Sequence, residues 1–264
     1  MNDISNTALV TLRCHIQDAQ KDVSILNDKS SLKVYEFLNR HLDKKGKSIL
    51  NKEVKKNLEK HTALRAKKYD DYVLQFLQKH PEAAIVNIGC GLDNRFERID
   101  NGKCLFLDLD FQDIIEIKKQ IFPATERYMQ IAQSVFDFSW MEYIKNRQVL
   151  LLAEGVFMYC HESDVKSLFH EIHSNFPGAE IVFEVFSSKW LKGWKKWVVD
   201  LKIRKQLKFG KDAYFKSGIA DSREIESWSA YYKLIEDWSY FDAVKPNSKD
   251  YLRKIQWTVY YKIN

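Results

Sequence analysis

Apolar residues recur along this chain with two different periods, and the change from one to the other falls near residue 80. Upstream the spacing is helical. Segments 7–20, 31–41 and 61–80 predict three helices, the second with Leu32, Tyr35 and Leu38 on one face, the third with Leu64, Tyr72 and Phe76. Pro81 ends the third. Between the first two, Ile25 and Leu26 predict a loop over 25–28 anchored by its apolar pair. Downstream of Pro81, short apolar runs at 84–88, 104–109, 128–132, 149–153 and 180–186 predict strands. Helical segments at 95–99, 112–121, 138–143 and 163–176 separate them; Ser163 is the expected cap of the last, and Pro177-Gly178 its stop. Strands that are apolar throughout and joined by helices imply a parallel sheet buried on both faces.

The tail adds two predicted strands, 238–242 and 255–263, separated by a turn around 245–248. Residues 187–229 break the alternation. There Trp190, Trp194, Trp197 and Leu201 fall at i, i+4, i+7 and i+11, one helical stripe, with Lys192, Lys195, Lys196, Lys202 and Lys205 on other faces. The pattern predicts a cap helix laid on the core. The expected architecture is therefore α/β and Rossmann-like, with a seven-stranded, mostly parallel sheet and an antiparallel edge. Four segments follow: an N-terminal helical region (1–80), an α/β core (81–186), a helical cap (187–229) and closing strands (230–264).

Composition narrows the class without choosing a function. Of 264 residues, 45% are hydrophobic and 30% charged, and no apolar run approaches the ~18–20 residues needed to span a bilayer. The N-terminus shows no basic stretch before an apolar core, so no signal peptide is expected. Cys14, Cys90, Cys104 and Cys160 have neither disulfide-like nor zinc-like spacing, which suits a reducing cytoplasm and predicts no structural metal. The net charge of +6 permits an acidic substrate without demanding one; nucleic acid is not the expected partner, and monomer and dimer are both compatible. Basic clusters at 44–60 and 189–211 fit solvated helix faces.

The candidate chemistry lies where the first two strands end. Val86-Asn-Ile-Gly-Cys-Gly-Leu-Asp93 runs from a buried strand into a two-glycine turn, and Phe106-Leu-Asp-Leu-Asp110 is a strand ending in acids. Gly89 and Gly91 let the backbone turn tightly and a ligand approach. Asp110 follows Gly89 by 21 residues, where nucleotide-binding α/β folds place the carboxylate that accepts from ribose hydroxyls. A dinucleotide fingerprint requires a third glycine where Asn94 stands, and Asp93 is a poor neighbour for pyrophosphate. S-adenosylmethionine, with no phosphate and a positive sulfonium, suits the turn better than NAD.

These motifs, with Ala63-Leu-Arg-Ala-Lys-Lys-Tyr-Asp-Asp71, Ser134-Val-Phe-Asp-Phe-Ser-Trp140, Ala153-Glu-Gly-Val-Phe-Met-Tyr159 and the early Ser24-Ile-Leu-Asn-Asp28, resemble the leucine carboxyl methyltransferase family over residues 5–186. The closer resemblance is to its bacterial branch of polyketide O-methyltransferases. It implies a class I S-adenosylmethionine-dependent O-methyltransferase. By position, Arg65 matches the arginine that holds the cofactor's methionyl carboxylate, Gly89 and Gly91 the cofactor turn, and Asp110 the ribose acid, with Asp108 a lesser candidate. Ser134 and Val135 match the residues flanking adenine, Asp137 a contact to the adenine amino group, and Glu154 an acid beside the methionyl ammonium.

The implied acceptor is a small molecule, with a carboxylate favoured because it is ionised near neutral pH and needs no base. For a phenol or alcohol, His161 is the first candidate base and Tyr159 a group that orients the acceptor. The competing readings are an NAD(P)-dependent oxidoreductase and a cofactor-binding regulatory protein without turnover.

Overall fold

The computed structural model describes residues 3–191, 193, 197, 214–246 and 250–264. Each apolar run of the core forms a strand: β1 (Ala84–Ile88), β2 (Leu105–Asp110), β3 (Tyr128–Ala132), β4 (Val149–Ala153) and β5 (Ala179–Phe186). With β6 (Tyr232–Trp238) and β7 (Gln256–Ile263) they build one seven-stranded sheet in the order β3-β2-β1-β4-β5-β7-β6. The first five are parallel, and β7 is antiparallel to both β5 and β6. This is the mostly parallel α/β sheet that the sequence pattern predicts.

The strands are mostly apolar because both faces are covered. Val86, Leu107 and Leu151 enter one core with Leu168, Phe169 and Ile172 of α7 (Glu162–Asn175). Ile85, Phe106 and Leu150 point the other way. They meet α1 (Asp3–Ala19), α2 (Ser30–His41), α4 (Lys56–Lys79) and α6 (Gln112–Ile121), through residues such as Leu9, Val34, Tyr69 and Ile115. A short α3 (Lys44–Leu50), capped by the Asp43 carboxylate on the Gly46 amide at 2.7 Å, lies within the basic cluster at 44–60.

Winding reverses between β1 and β4, and such a switch point opens a crevice beyond the carboxyl ends of the strands. Ile88 pairs with Leu109 on one side and Ala153 on the other. The next residues of these three strands, Gly89, Asp110 and Glu154, therefore stand side by side at the crevice. Helix α1 covers the turn: a Cβ on Gly91 would lie 3.7 Å from that of Ala8.

Two expectations need correction, and a third falls largely outside the described residues. The strand expected at 238–242 ends at Trp238, and a helix over Tyr240–Val244 follows. Ser239 starts that helix with a capping box, accepting from the Phe241 amide while Asp242 accepts from the Ser239 amide. Ser163 does not cap α7; the cap position is His161, and the Ser163 hydroxyl donates to Asp164 at 3.3 Å. Of the tryptophan stripe, Trp194 and Leu201 lie outside the described residues; Trp190 ends a 3-10 turn (Ser188–Trp190) beside Phe186 and Phe215, and Trp197 is exposed. Among the described residues, no helix is long and apolar enough to cross a membrane.

Candidate active site

A cavity of about 540 Å³ fills the crevice, bordered by Gly89, Gly91, Asp110, Ser134, Val135 and Glu154, among others. Its floor is the glycine turn. Gly89 (φ 61°) and Gly91 (φ 56°) are in the left-handed region, and a Cβ on Gly89 would meet Val156 Cγ2 at 2.5 Å. The turn in turn holds Asp110. The amides of Gly91 and Phe111 each donate to its carboxylate at 2.7 Å. Burial raises the Asp110 pKa, and these two bonds oppose the rise. Asp108, two residues earlier on β2, is fully buried and accepts from Asn87 (2.9 Å), Lys118 (2.7 Å) and Tyr128 (2.6 Å). It does not border the cavity.

At the other end, charges alternate in a buried chain. Arg65 on α4 donates to Glu154 (2.8 Å) and to Glu184 on β5 (2.9 Å), and Gln256 of β7 donates to Glu184 (2.8 Å). Arg95 bridges Glu154 (2.6 Å) and Asp70 (2.7 Å). Arg98 of α5 (Phe96–Ile99) bonds Asp70 (2.6 Å), clasps Asp93 at 2.6 and 3.0 Å, and lies 3.3 Å from Asp28. Burial works against the charge on Glu154, but Arg65 and Arg95 outweigh it and bring its pKa below the usual value. On Glu184 burial prevails and its pKa is raised. Asp93, in the turn that the sequence reading judged a poor neighbour for pyrophosphate, is paired with Arg98. What departs from a dinucleotide site is the helix: it starts only at Phe96 and runs four residues.

Of the residues expected in a site, Arg65, Gly89, Gly91, Asp110, Ser134, Val135, Glu154 and Tyr159 border the cavity. Asp137 and His161 do not. Asp137 is exposed and accepts from the Ser139 amide at 3.3 Å, capping a 3-10 helix (Phe138–Ile144). His161 is exposed because the 3-10 turn Phe157–Tyr159 directs Tyr159 inward and leaves the following residues to start α7 outside. Sequence reasoning missed Arg95, Glu184 and the α1 face formed by Ala8, Thr11, Leu12 and His15. That face was recoverable from the i, i+3, i+4, i+7 spacing. Tyr214 and Lys216 also border the cavity, carried there by the Lys216 amide on the Met158 carbonyl (2.8 Å) and by Phe215 packed on Met158 and Phe186.

The donor set fits a sulfonium cofactor. Five carboxylates (Asp28, Asp70, Asp93, Glu154, Glu184) face three guanidiniums (Arg65, Arg95, Arg98), an excess of two negative charges. S-adenosylmethionine carries sulfonium and ammonium against one carboxylate, a net charge of +1 and so opposite in sign to that excess.

Sheet order, glycine turn and acidic strand ends define the fold of a class I methyltransferase. Two solved structures share it: a DUF574 family protein from Streptomyces avermitilis (TM-score 0.57, 8% identity, 97% of each chain) and the magnesium protoporphyrin IX methyltransferase of Synechocystis with bound S-adenosylhomocysteine (TM-score 0.51, 10% identity, 88% of this chain and 98% of that one). Residues 20–173 match the family described as leucine carboxyl methyltransferase. The chain belongs to that family, and is an S-adenosylmethionine-dependent methyltransferase. It is 27% identical to a tetracenomycin polyketide synthesis O-methyltransferase of Streptomyces glaucescens, over 92% of this chain and 85% of the relative. It is 31% identical to an S-adenosyl-L-methionine-dependent methyltransferase of Gibberella zeae, over 68% of this chain and 63% of the relative.

Proposed function

We propose that the enzyme transfers its methyl group to an oxygen, a carboxylate, of a small-molecule acceptor. In this reading the adenine lies between Ser134 and Val135, the ribose hydroxyls donate to Asp110, and the methionyl group meets Arg65 and Glu154. The N-terminal segment 1–80 supplies α1 and Arg65, the core 81–186 the cofactor floor, 187–229 a cap, and 230–264 the closing strands. The acceptor then takes the side bordered by Tyr159, Cys160, Tyr214 and Lys216.

One observation carries the choice of carboxylate: among the described residues, that side presents no imidazole or carboxylate to take up a proton. His161 lies outside the cavity, and burial lifts the Tyr159 pKa above its usual value and the Cys160 pKa to about 11. A carboxylate acceptor has no proton to lose near neutral pH. Lys216 adds a cation at the same side. The cofactor supplies an electrophilic methyl carbon; the residues hold the acceptor oxygen in line behind it and exclude water, and positioning of that kind can supply most of the acceleration.

The test is radiolabelled methyl transfer to matched aromatic acids and phenols. Labelled product that base hydrolyses to volatile methanol is the expected ester. A base-stable ether, formed from phenols in preference to acids, overturns the carboxylate assignment.

A further inference from the structure

His15 lies on the α1 face over the glycine turn, borders the cavity, and is 2% exposed. Its Nδ1 is 2.9 Å from Asp28 Oδ2. The other Asp28 oxygen accepts from the Ser30 hydroxyl (2.5 Å) and the Ser31 amide (3.3 Å), so this carboxylate is a fixed acceptor and the proton sits on Nδ1. The ring's far nitrogen, Nε2, is buried without a hydrogen-bond partner. Of the buried side-chain nitrogen and oxygen atoms left unpaired among the described residues, it alone belongs to a residue bordering the cavity. An unmade hydrogen bond on a buried polar atom is costly, and such atoms in native proteins usually await a partner.

A cation is not that partner. His15, Asp28 and Asp93 bring ligand atoms within 4.8 Å of one another, but the Arg98 guanidinium already stands 3.3 Å from Asp28 and 2.6 Å from Asp93. When the ring is protonated at both nitrogens Nε2 is a donor, and the partner it then lacks is an acceptor. The three guanidiniums of the site are each engaged with at least two carboxylates, whereas His15 Nε2 is uncommitted.

We propose that His15 is a cofactor-binding residue: as an imidazolium held by Asp28, it donates from Nε2 to the carboxylate of the cofactor's methionyl group and ties cofactor affinity to pH. The proposal rests on the cofactor placement given above. The charged groups that act on the ring are Asp28 from the loop, Asp93 beyond the glycine turn and Arg98 from α5. Burial alone lowers the His15 pKa, but Asp28 and Asp93 outweigh burial and the repulsion of Arg98, and the pKa is raised. The imidazolium is therefore accessible near neutral pH. Because binding and protonation are reciprocal, a ligand that prefers the imidazolium must raise the ring pKa further. Affinity is then highest below the free-protein pKa and falls as pH rises through it.

The experiment is calorimetric titration with S-adenosylhomocysteine, and with 5′-methylthioadenosine, which lacks the amino-acid group, from about pH 6 to about pH 8. Wild type and His15→Gln are compared, with His15 ring ¹⁵N shifts followed in wild type with and without S-adenosylhomocysteine. The expected result is a loss of about tenfold in wild-type S-adenosylhomocysteine affinity across this range, no slope in His15→Gln, no slope for 5′-methylthioadenosine, and a ring pKa that rises on binding. A flat wild-type profile, an equal slope for 5′-methylthioadenosine, or an unmoved ring pKa overturns the proposal. So does a slope confined to the KM of the acceptor, which would assign Nε2 to the acceptor's carboxylate. If His15→Gln does not fold, the wild-type ring titration decides. Wild-type protein that binds neither nucleoside overturns the cofactor placement itself.

Discussion

Replacing Arg65 with methionine keeps the reach of the side chain and removes the cation between two buried acids. Arg65 stands 2.8 Å from Glu154 and 2.9 Å from Glu184, with 13% of its side chain exposed. Removing one partner of a buried pair costs about 3–5 kcal/mol, because the surviving charge is left desolvated. Glu154 retains Arg95 at 2.6 Å, whereas Glu184 retains only the neutral Gln256 at 2.8 Å, so the loss concentrates on Glu184. An unfolding entropy of about 2.1 cal/mol/K per residue gives about 0.55 kcal/mol/K for this chain, and the expected drop in Tm is about 5–9 °C. The pH dependence identifies the cause. Burial has already raised the Glu184 pKa in the folded protein, and loss of the guanidinium raises it further. A raised folded-state pKa contributes stability that is present below the unfolded value and lost as pH rises through the folded one. The deficit of Arg65→Met is therefore largest near neutral pH and shrinks toward about pH 5, as Glu184 takes up a proton. Thermal unfolding of wild type and variant, followed by circular dichroism at both pH values, measures it. A shift below about 1 °C, or an equal deficit at both pH values, refutes the buried-charge account.

Asp110→Ala removes the ribose acceptor and should weaken S-adenosylhomocysteine binding by about 1–3 kcal/mol, a rise in Kd of roughly 5- to 150-fold; an unchanged Kd by calorimetry places the ribose elsewhere. Gly89→Ala puts a Cβ 2.5 Å from Val156 Cγ2 at a φ of 61°, and binding should fall more than about tenfold as the turn shifts. Full affinity in that variant would show that the turn is not the cofactor floor. His161→Ala, outside the cavity, should leave kcat with a carboxylate acceptor unchanged; a large drop would return His161 to the mechanism.

The core strands were legible because burial on both faces keeps them predominantly apolar. β6 was not, because Lys233 and Glu236 are exposed along it, and alternation that loose does not separate a strand from a loop. Cavity-lining residues were legible where they follow a strand directly. Gly89, Asp110 and Glu154 are each the residue at or after a strand end, so sheet register alone brings them together. Asp137 and His161 lie outside the cavity for the opposite reason. Each is close in sequence to a cavity residue, but a short 3-10 segment lies between or after them, and its turn decides which side chain faces in. Arg95 and Glu184 were hidden because their roles depend on contacts across long sequence separations, such as the 59 residues between Arg95 and Glu154.

The most direct test is calorimetric titration of the cofactor-stripped protein with S-adenosylhomocysteine, with NADH as the parallel ligand. Saturable binding of S-adenosylhomocysteine in the micromolar range and no heat from NADH are the expected results. Binding of NADH with none of S-adenosylhomocysteine would contradict the cofactor assignment, and would mean that the crevice between β1 and β4 serves a different cofactor.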